Sequence, residues 1–431
     1  MKQNNWTSVL ARLDFKKLHV LFLLLVFFYF EFVYKNFVFE YFHSTGFDFS
    51  FSIQKYALGV ASITLILGLF YYKQLKPLTY FIGFLVILFL AIPSIVLYQF
   101  TSYSILIPLC FIVFQAIIGL SSFKFEKLIS KVQKNVKSFN HWFLLILALL
   151  MFVPFVNYYA INFDLDLFKF GSRVYEIRSA IQDSGSVLTS YLFSPLAGVL
   201  LPFMLAYGID KKKYYVSGLA ILLMIVMYLM LPHKSIFFSI PVVLFFGVIK
   251  GSIIRKMNIF IVFILIAFIT TRIHSSCYTD GEKMMPESLL VRRTFFVPAL
   301  LTGVYFKEYK DKPVYLGHSI FKSFVDYPYD REPTKYIGKQ FYESEETNAN
   351  TGIVGDGYMN FGLLGSLFYL LVFSMIIAFL EAFNVKSTYL GIFVLLVLLF
   401  QNGSLSTIVL THGLWMYFAL FTLFITNKSA K

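Results

Sequence analysis

Apolar stretches of about 20 residues follow one another along this chain, each as long as an α-helix must be to cross a bilayer core of about 30 Å. No other feature restricts the fold as strongly, because in hydrocarbon the backbone must satisfy its own hydrogen bonds. Twelve spans can be read, at about 17–36, 52–72, 78–98, 104–122, 142–160, 190–209, 214–231, 236–250, 257–271, 357–380, 388–402 and 407–426. The predicted fold class is an all-α polytopic integral membrane protein: one membrane domain over 1–431 with about twelve transmembrane helices and two long extracytoplasmic loops, 161–190 and 272–356. Only 14% of residues are charged, against about 25% in soluble domains. The first span ends in Glu31-Phe-Val-Tyr-Lys35 without a small-residue cleavage pattern, so it reads as a span and not as a signal peptide.

Lysine and arginine set the orientation, since short loops rich in them stay cytoplasmic. With both termini inside, the inner segments collect 20 basic residues and four acids (Asp14, Glu126, Asp210, Glu381), a net +16 that leaves −2 for the rest of a +14 chain. The short outer loops hold only Lys35, Lys55 and Lys234. Lys131 and Lys212 are therefore expected in the cytoplasm, with Asp183 and Glu345 outside. The basic balance is thus topological and does not point to nucleic acid. Cys110 and Cys277 are badly placed to pair, one mid-membrane and one in an outer loop. No CxxC, HExxH, Walker loop or GxGxxG motif occurs, so no cofactor or metal is expected.

The two long loops are where function is expected, because structureless connections beyond about 15 residues are uncommon. Six of the eight arginines lie there: Arg173, Arg178, Arg272, Arg292, Arg293 and Arg331. Only 11 of the 29 lysines lie outside at all. Arginine offers a planar, permanently charged fork that matches phosphate and carboxylate, whereas lysine is a point charge.

Helical geometry singles out two of them. If Pro286 opens a helix, Leu289, Leu290, Phe296 and Val297 share a face with Arg293 at its centre. The apolar run from Thr294 to Phe306 reads as too short to span, hence as a re-entrant or surface-lying segment bent near Pro298. In the first loop Ser172 can cap a helix whose Val174, Ile177 and Ile181 form a stripe flanked by Arg178. Snorkelling to lipid phosphates, or pairing with Glu176 or Glu287, would explain both arginines without function. Arg173 and Arg292 sit on the rims of these faces, where that plainer explanation is favoured; Arg272 and Arg331 read as solvated or topological.

The motifs VYEIR (Val174 to Arg178), RTFFVPALLTGVYF (Arg293 to Phe306) and NANTGIVGDGYMNFGLLGS (Asn348 to Ser366) resemble the oligosaccharide repeat-unit polymerases, the Wzy-type O-antigen and capsule polymerases. The likeness runs from about Asp164 to Leu380, and the N-terminal third adds only a compatible topology.

The resemblance implies a multi-pass enzyme of the bacterial cytoplasmic (inner) membrane, with both termini cytoplasmic and its site at the outer face. There a glycan on undecaprenyl diphosphate would be transferred onto the non-reducing sugar of a new lipid-linked repeat unit. Donor and acceptor are both undecaprenyl-diphosphate-linked glycans; the bilayer is a partner, a chain-length regulator protein is an admissible one, and nucleic acid is not. By match to the family pattern, Arg178 and Arg293 are the expected catalytic residues, stabilising the departing diphosphate. His318 can titrate near neutrality and is the candidate base, with Glu176 or Asp356 as substitutes. Arg292, Arg173, Tyr175, Glu176, Asp356, Tyr358 and Asn360 are the expected substrate-binding residues. Tyr305, Phe306, Tyr309, Tyr315, Tyr327, Tyr329, Tyr336 and Tyr342 could stack on sugars or anchor at the membrane surface. An O-antigen ligase would use the same donor but transfer to lipid A-core, and a flippase would carry its charges in a central cavity with short loops.

Overall fold

The computed structural model describes residues 5–119, 125–135, 139–181, 184–277, 284–319, 321–344 and 347–425. Among them every regular element is helical. Among the described residues nine helices are long and apolar enough to cross a membrane: Phe15–Thr45, Ile53–Tyr72, Pro77–Phe100, His141–Tyr158, Val187–Asp210, Ile253–Ser276, Met285–Glu308, Ile353–Glu381 and Leu405–Phe424. Four shorter apolar helices, Leu106–Ile117, Tyr214–Met230, Lys234–Val248 and Ser387–Asn402, accompany them. Eight of the twelve expected spans fall on helices of the first group and the other four on the shorter ones. Met285–Glu308 is additional, so the expected loop 272–356 carries a 24-residue helix. Asp183 and Glu345, expected outside, lie beyond the described residues.

The chain forms two compact units, one of residues 1–122, 257–378 and 397–405, the other of 123–256, 379–396 and 406–431. Side-chain contacts fix the two ends of the first unit. At one end His19 Nδ1 lies 2.8 Å from the Tyr80 hydroxyl and its Nε2 2.7 Å from Asn258 Oδ1, while Lys16 donates to the carbonyls of Tyr71 and Lys73. At the opposite end Lys55 donates to the Thr101 carbonyl and the Tyr34 hydroxyl to that of Asp48. Arg272 lies over the Phe32 ring at that end too.

Met285–Glu308 makes contacts from both of its halves near one end of the unit. Near its beginning Glu287 pairs with Arg272, and near its close a Cβ on Gly303 would run into the ring of Tyr103, in the connection after Phe100. Both contacts belong to the Thr101 end of the unit; the helix is longer than the 13-residue apolar run suggested and is long and apolar enough to cross a membrane. It stays helical through Pro298. Its turns from Ser288 to Phe296 are wide π turns. Bonds from i to i+5 rotate each residue by less than the 100° of an α-helix, so the face drawn from α periodicity is wrong here. Val291, Phe295 and Phe296 are buried and Arg293 is exposed. Gln401 secures this stretch by donating to the carbonyls of Thr294 (2.9 Å) and Phe89 (2.8 Å).

Ile353–Glu381 corrects a second expectation. GDGYMNFGLLG read as the start of one straight membrane helix; the chain instead breaks at Phe361 and at Gly362 (φ +62°, ψ −152°) and folds back on itself. The Ser366 hydroxyl donates to the Val354 carbonyl at 2.8 Å, whereas twelve residues of straight helix would separate them by about 18 Å. The legs touch at two glycines, where a Cβ on Gly357 would stand 2.6 Å from the Gly365 carbonyl oxygen. Thr351 through Asn360 are all buried. The longer leg then runs to the His19 end, with Phe373 stacked on Phe114 and Ser374 donating to the Ile117 carbonyl.

In the second unit one end is basic. Lys213 reaches His141 at 2.6 Å, and Asp210 accepts from Lys386 at 2.7 Å. The first long loop covers the other end: the Asn162 amide donates to the Leu229 carbonyl and the Tyr228 hydroxyl to that of Leu167. Within it the expected helix forms as Ser172–Ala180, with Gly171 rather than Ser172 at the cap position. Val174 packs with Leu167, Tyr228 and Leu229.

Candidate functional site

The first-loop helix sorts its charged residues by partner. Arg173 is held by two carboxylates, Asp164 at 2.7 Å and Glu176 at 3.0 Å. The expected substrate contacts of Arg173 and Glu176, and a base role for Glu176, therefore meet side chains already engaged with each other. Tyr175 lies beneath Lys234, whose Nζ is 4.9 Å from the ring centroid and donates to the Phe170 carbonyl at 2.6 Å. Arg178 differs: no described residue gives it a hydrogen bond or an ion pair. Solvent reaches it, yet protein crowds the guanidinium closely enough to lower its pKa, with Tyr175 opposing the shift. Guanidinium groups titrate so high that it stays charged at neutral pH.

Beside Arg178 stands His233, which the sequence reading did not single out. It precedes the helix Lys234–Val248 and packs against the Phe193 ring, with centroids 4.7 Å apart. Burial, followed by the Arg178 charge, pushes its pKa down to about 3. A neutral imidazole next to a guanidinium that has no ion-pair partner among the described residues can accept a proton while the cation holds an anion. The only sequence signal was an isolated histidine between two spans, in LPHKS.

In the first unit, Arg292 and Arg293 lie on the π turns, at the end that carries Thr101. The Arg292 guanidinium covers the Phe42 ring at 4.0 Å, and its Nε donates to Ser288 at 3.0 Å. Burial raises the pKa of the Tyr342 hydroxyl, and Arg292 and Arg293 pull it partly back, so both charges sit near that phenol. Glu287, expected as a possible partner of Arg293, is taken by Arg272 at 3.3 Å. His318 is half-buried, and its Nδ1 is enclosed without a hydrogen-bond partner among the described residues. Burial lowers its pKa and Glu332 opposes this, so it too is neutral at pH 7.

Asp356, Asn360 and Tyr358 are spent on architecture. Asp356 accepts from the Asn360 side chain at 3.0 Å and from the Leu405 amide at 2.7 Å. Asn360 Oδ1 accepts from the Leu316 amide at 2.9 Å, and the Val314 amide donates to the Met359 carbonyl. This chain of bonds fixes the turn that precedes His318. Tyr358 is buried against Phe306, with centroids 3.8 Å apart. These three were expected to bind substrate; their polar groups and rings face protein instead, because the hairpin turns the motif inward. Most of the second-loop rings likewise pack on one another: Tyr329 lies 5.1 Å from Tyr309 and 4.6 Å from Tyr336.

The arrangement thus contains two groups of basic side chains, Arg178 with His233 in the second unit and Arg292 with Arg293 in the first. No protein-family model, curated protein or solved structure matches the chain.

Proposed function

We propose that this protein is an oligosaccharide repeat-unit polymerase of the Wzy type, acting on undecaprenyl-diphosphate-linked glycans at the outer face of a bacterial cytoplasmic membrane. The observation that carries this reading is Arg178: a charged, crowded guanidinium with no carboxylate partner among the described residues, in a loop whose other arginine is neutralised twice over. Such a fork matches the geometry and charge of a departing diphosphate. The order and spacing of the three motifs support the same class, as does the segregation of Lys16, Lys73, Lys211 and Lys213 to ends opposite the long loops.

In the reaction, an acceptor sugar hydroxyl attacks the anomeric carbon of the donor glycan. The bond from that carbon to the diphosphate oxygen breaks, and the hydroxyl proton passes to a base. Arg178 balances charge on the leaving group, and His233, neutral and adjacent, is the proton acceptor we assign, since Glu176 is ion-paired with Arg173 and Asp356 is enclosed. Bound diphosphate adds negative charge beside His233 and raises its basicity at the moment a base is needed. Arg292 and Arg293, in the first unit, are a second pair of phosphate-matching side chains.

Replacing Arg178 by Lys keeps the charge and loses the fork. Cells carrying that variant should accumulate single lipid-linked repeat units at normal protein abundance, whereas Arg173→Lys should still make polymer. Full-length polymer from Arg178→Lys would remove the basis for this reading.

A further inference from the structure

The polar hairpin tip continues into an outward-facing aromatic surface that no step of the proposed reaction uses. Along the spanning leg Leu364, Phe368 and Leu371 recur at four- and three-residue spacing and are exposed, and Phe361, at the break before them, is exposed too. On a helix of this length and apolarity such a row faces lipid. The row does not stop at the tip. Tyr315 meets Phe361 with ring centroids 5.9 Å apart, and Phe321 and Phe324 of the same turn are exposed, Phe324 to 84%. Exposed rings of this size are uncommon on a water-facing loop and are enriched at membrane interfaces.

The backbone is held in an unfavourable form to present them. Tyr315 (φ 48°) and Leu316 (φ 62°) are consecutive bulky residues in the left-handed region, a conformation that side chains of this size rarely adopt. It persists because buried partners impose it: the Tyr315 amide donates to the Asn360 carbonyl and the Leu316 amide to the Asn360 side chain, itself anchored on Asp356. Lys322, exposed between the two phenylalanines, supplies a cation at the level of lipid phosphates.

We propose that Tyr315, Phe321 and Phe324 form a membrane-interface anchor that inserts among the headgroups and upper acyl chains, continuing the lipid-facing row of the spanning leg. The Asp356–Asn360 pair is then a positioning device, and the anchor holds His318, three residues beyond Tyr315, at headgroup depth. The inference does not depend on the reaction catalysed.

The test uses the full-length protein in vesicles of phosphatidylethanolamine and phosphatidylglycerol. With Cys277→Ser removing the exposed thiol and Cys110 buried, a nitroxide is attached at Phe324→Cys, at Leu364→Cys as the lipid reference, and at Asp330→Cys in the hydrophilic YDREPTK stretch as the aqueous reference. Collision with oxygen should exceed collision with a water-soluble nickel chelate several-fold at 324, as at 364, and the order should reverse at 330. A label at 324 that behaves like the one at 330 would overturn the proposal, whether or not added glycan then shields it.

Discussion

Gly357→Ala distinguishes the folded-back hairpin from a straight helix by the sign of its effect. In a straight exposed helix alanine replaces glycine favourably, by about 0.5–1 kcal/mol. In the hairpin the new methyl would stand 2.6 Å from the Gly365 carbonyl oxygen and 2.7 Å from both the Gly365 carbonyl carbon and the Ser366 Cα. All three are backbone atoms, so no side chain can swing away. Forcing a methyl into a packed contact costs typically 1–3 kcal/mol, and with backbone on both sides the upper part of that range applies, about 3 kcal/mol. For a unit of this size a loss of 1 kcal/mol lowers Tm by about 2–4 °C, which gives a drop of about 6–12 °C for the purified protein in detergent. Gly68→Ala, where no atom lies within 4 Å of the added Cβ, is the matched control and should leave Tm level or slightly raised. If unfolding is irreversible, inactivation rates at one temperature replace Tm. Equal stability of the Gly357 and Gly68 variants would refute the hairpin.

Three further outcomes are expected. Arg293→Lys should abolish polymer formation at unchanged membrane abundance, as measured by polysaccharide gels and immunoblots, while Arg331→Lys should be tolerated; parental activity from Arg293→Lys would point to lipid snorkelling instead. Arg272→Met leaves the fully buried Glu287 carboxylate without its ion-pair partner, at a cost of about 3 kcal/mol. Adding Glu287→Leu should recover most of that loss, and a double variant no more stable than the single one would contradict it. His233 is neutral in the folded protein down to about pH 3, whereas its ordinary pKa is 6.5, so the unfolded chain binds the extra proton between those values. Stability should fall as pH drops from 6.5 toward 3; His233→Gln should lessen that fall, and an unchanged acid slope would count against the burial of this imidazole.

The helices themselves were legible because apolar length is sufficient to define a span. The helix of the first loop was legible too, since Val174, Ile177 and Ile181 show ordinary α periodicity and Val174 and Ile177 pack as that stripe requires. Arg293 was misplaced because π turns change the angular step without an obvious mark in the sequence. The reversal at Phe361–Gly362 had a mark, four glycines in eleven residues from Gly355 to Gly365, but glycines also serve helix packing in membranes and so did not force a turn. Asp356 and Asn360 looked chemical as polar residues beside a tyrosine; only the fold shows their bonds spent on Leu405 and Leu316. His233 was missed because it gains meaning only from Arg178, 55 positions earlier in the chain.

The central claim is tested most directly by giving the purified protein, in lipid, its undecaprenyl-diphosphate-linked repeat unit and resolving the products by size. A ladder of longer lipid-linked chains should form without nucleotide and in the presence of a chelator, because the glycosyl phosphate bond already stores the driving force. Arg178→Lys should leave single units. No ladder from authentic substrate, with transfer appearing only once lipid A-core is supplied or with substrate merely moved between leaflets, would contradict the polymerase account and favour a ligase or a flippase respectively.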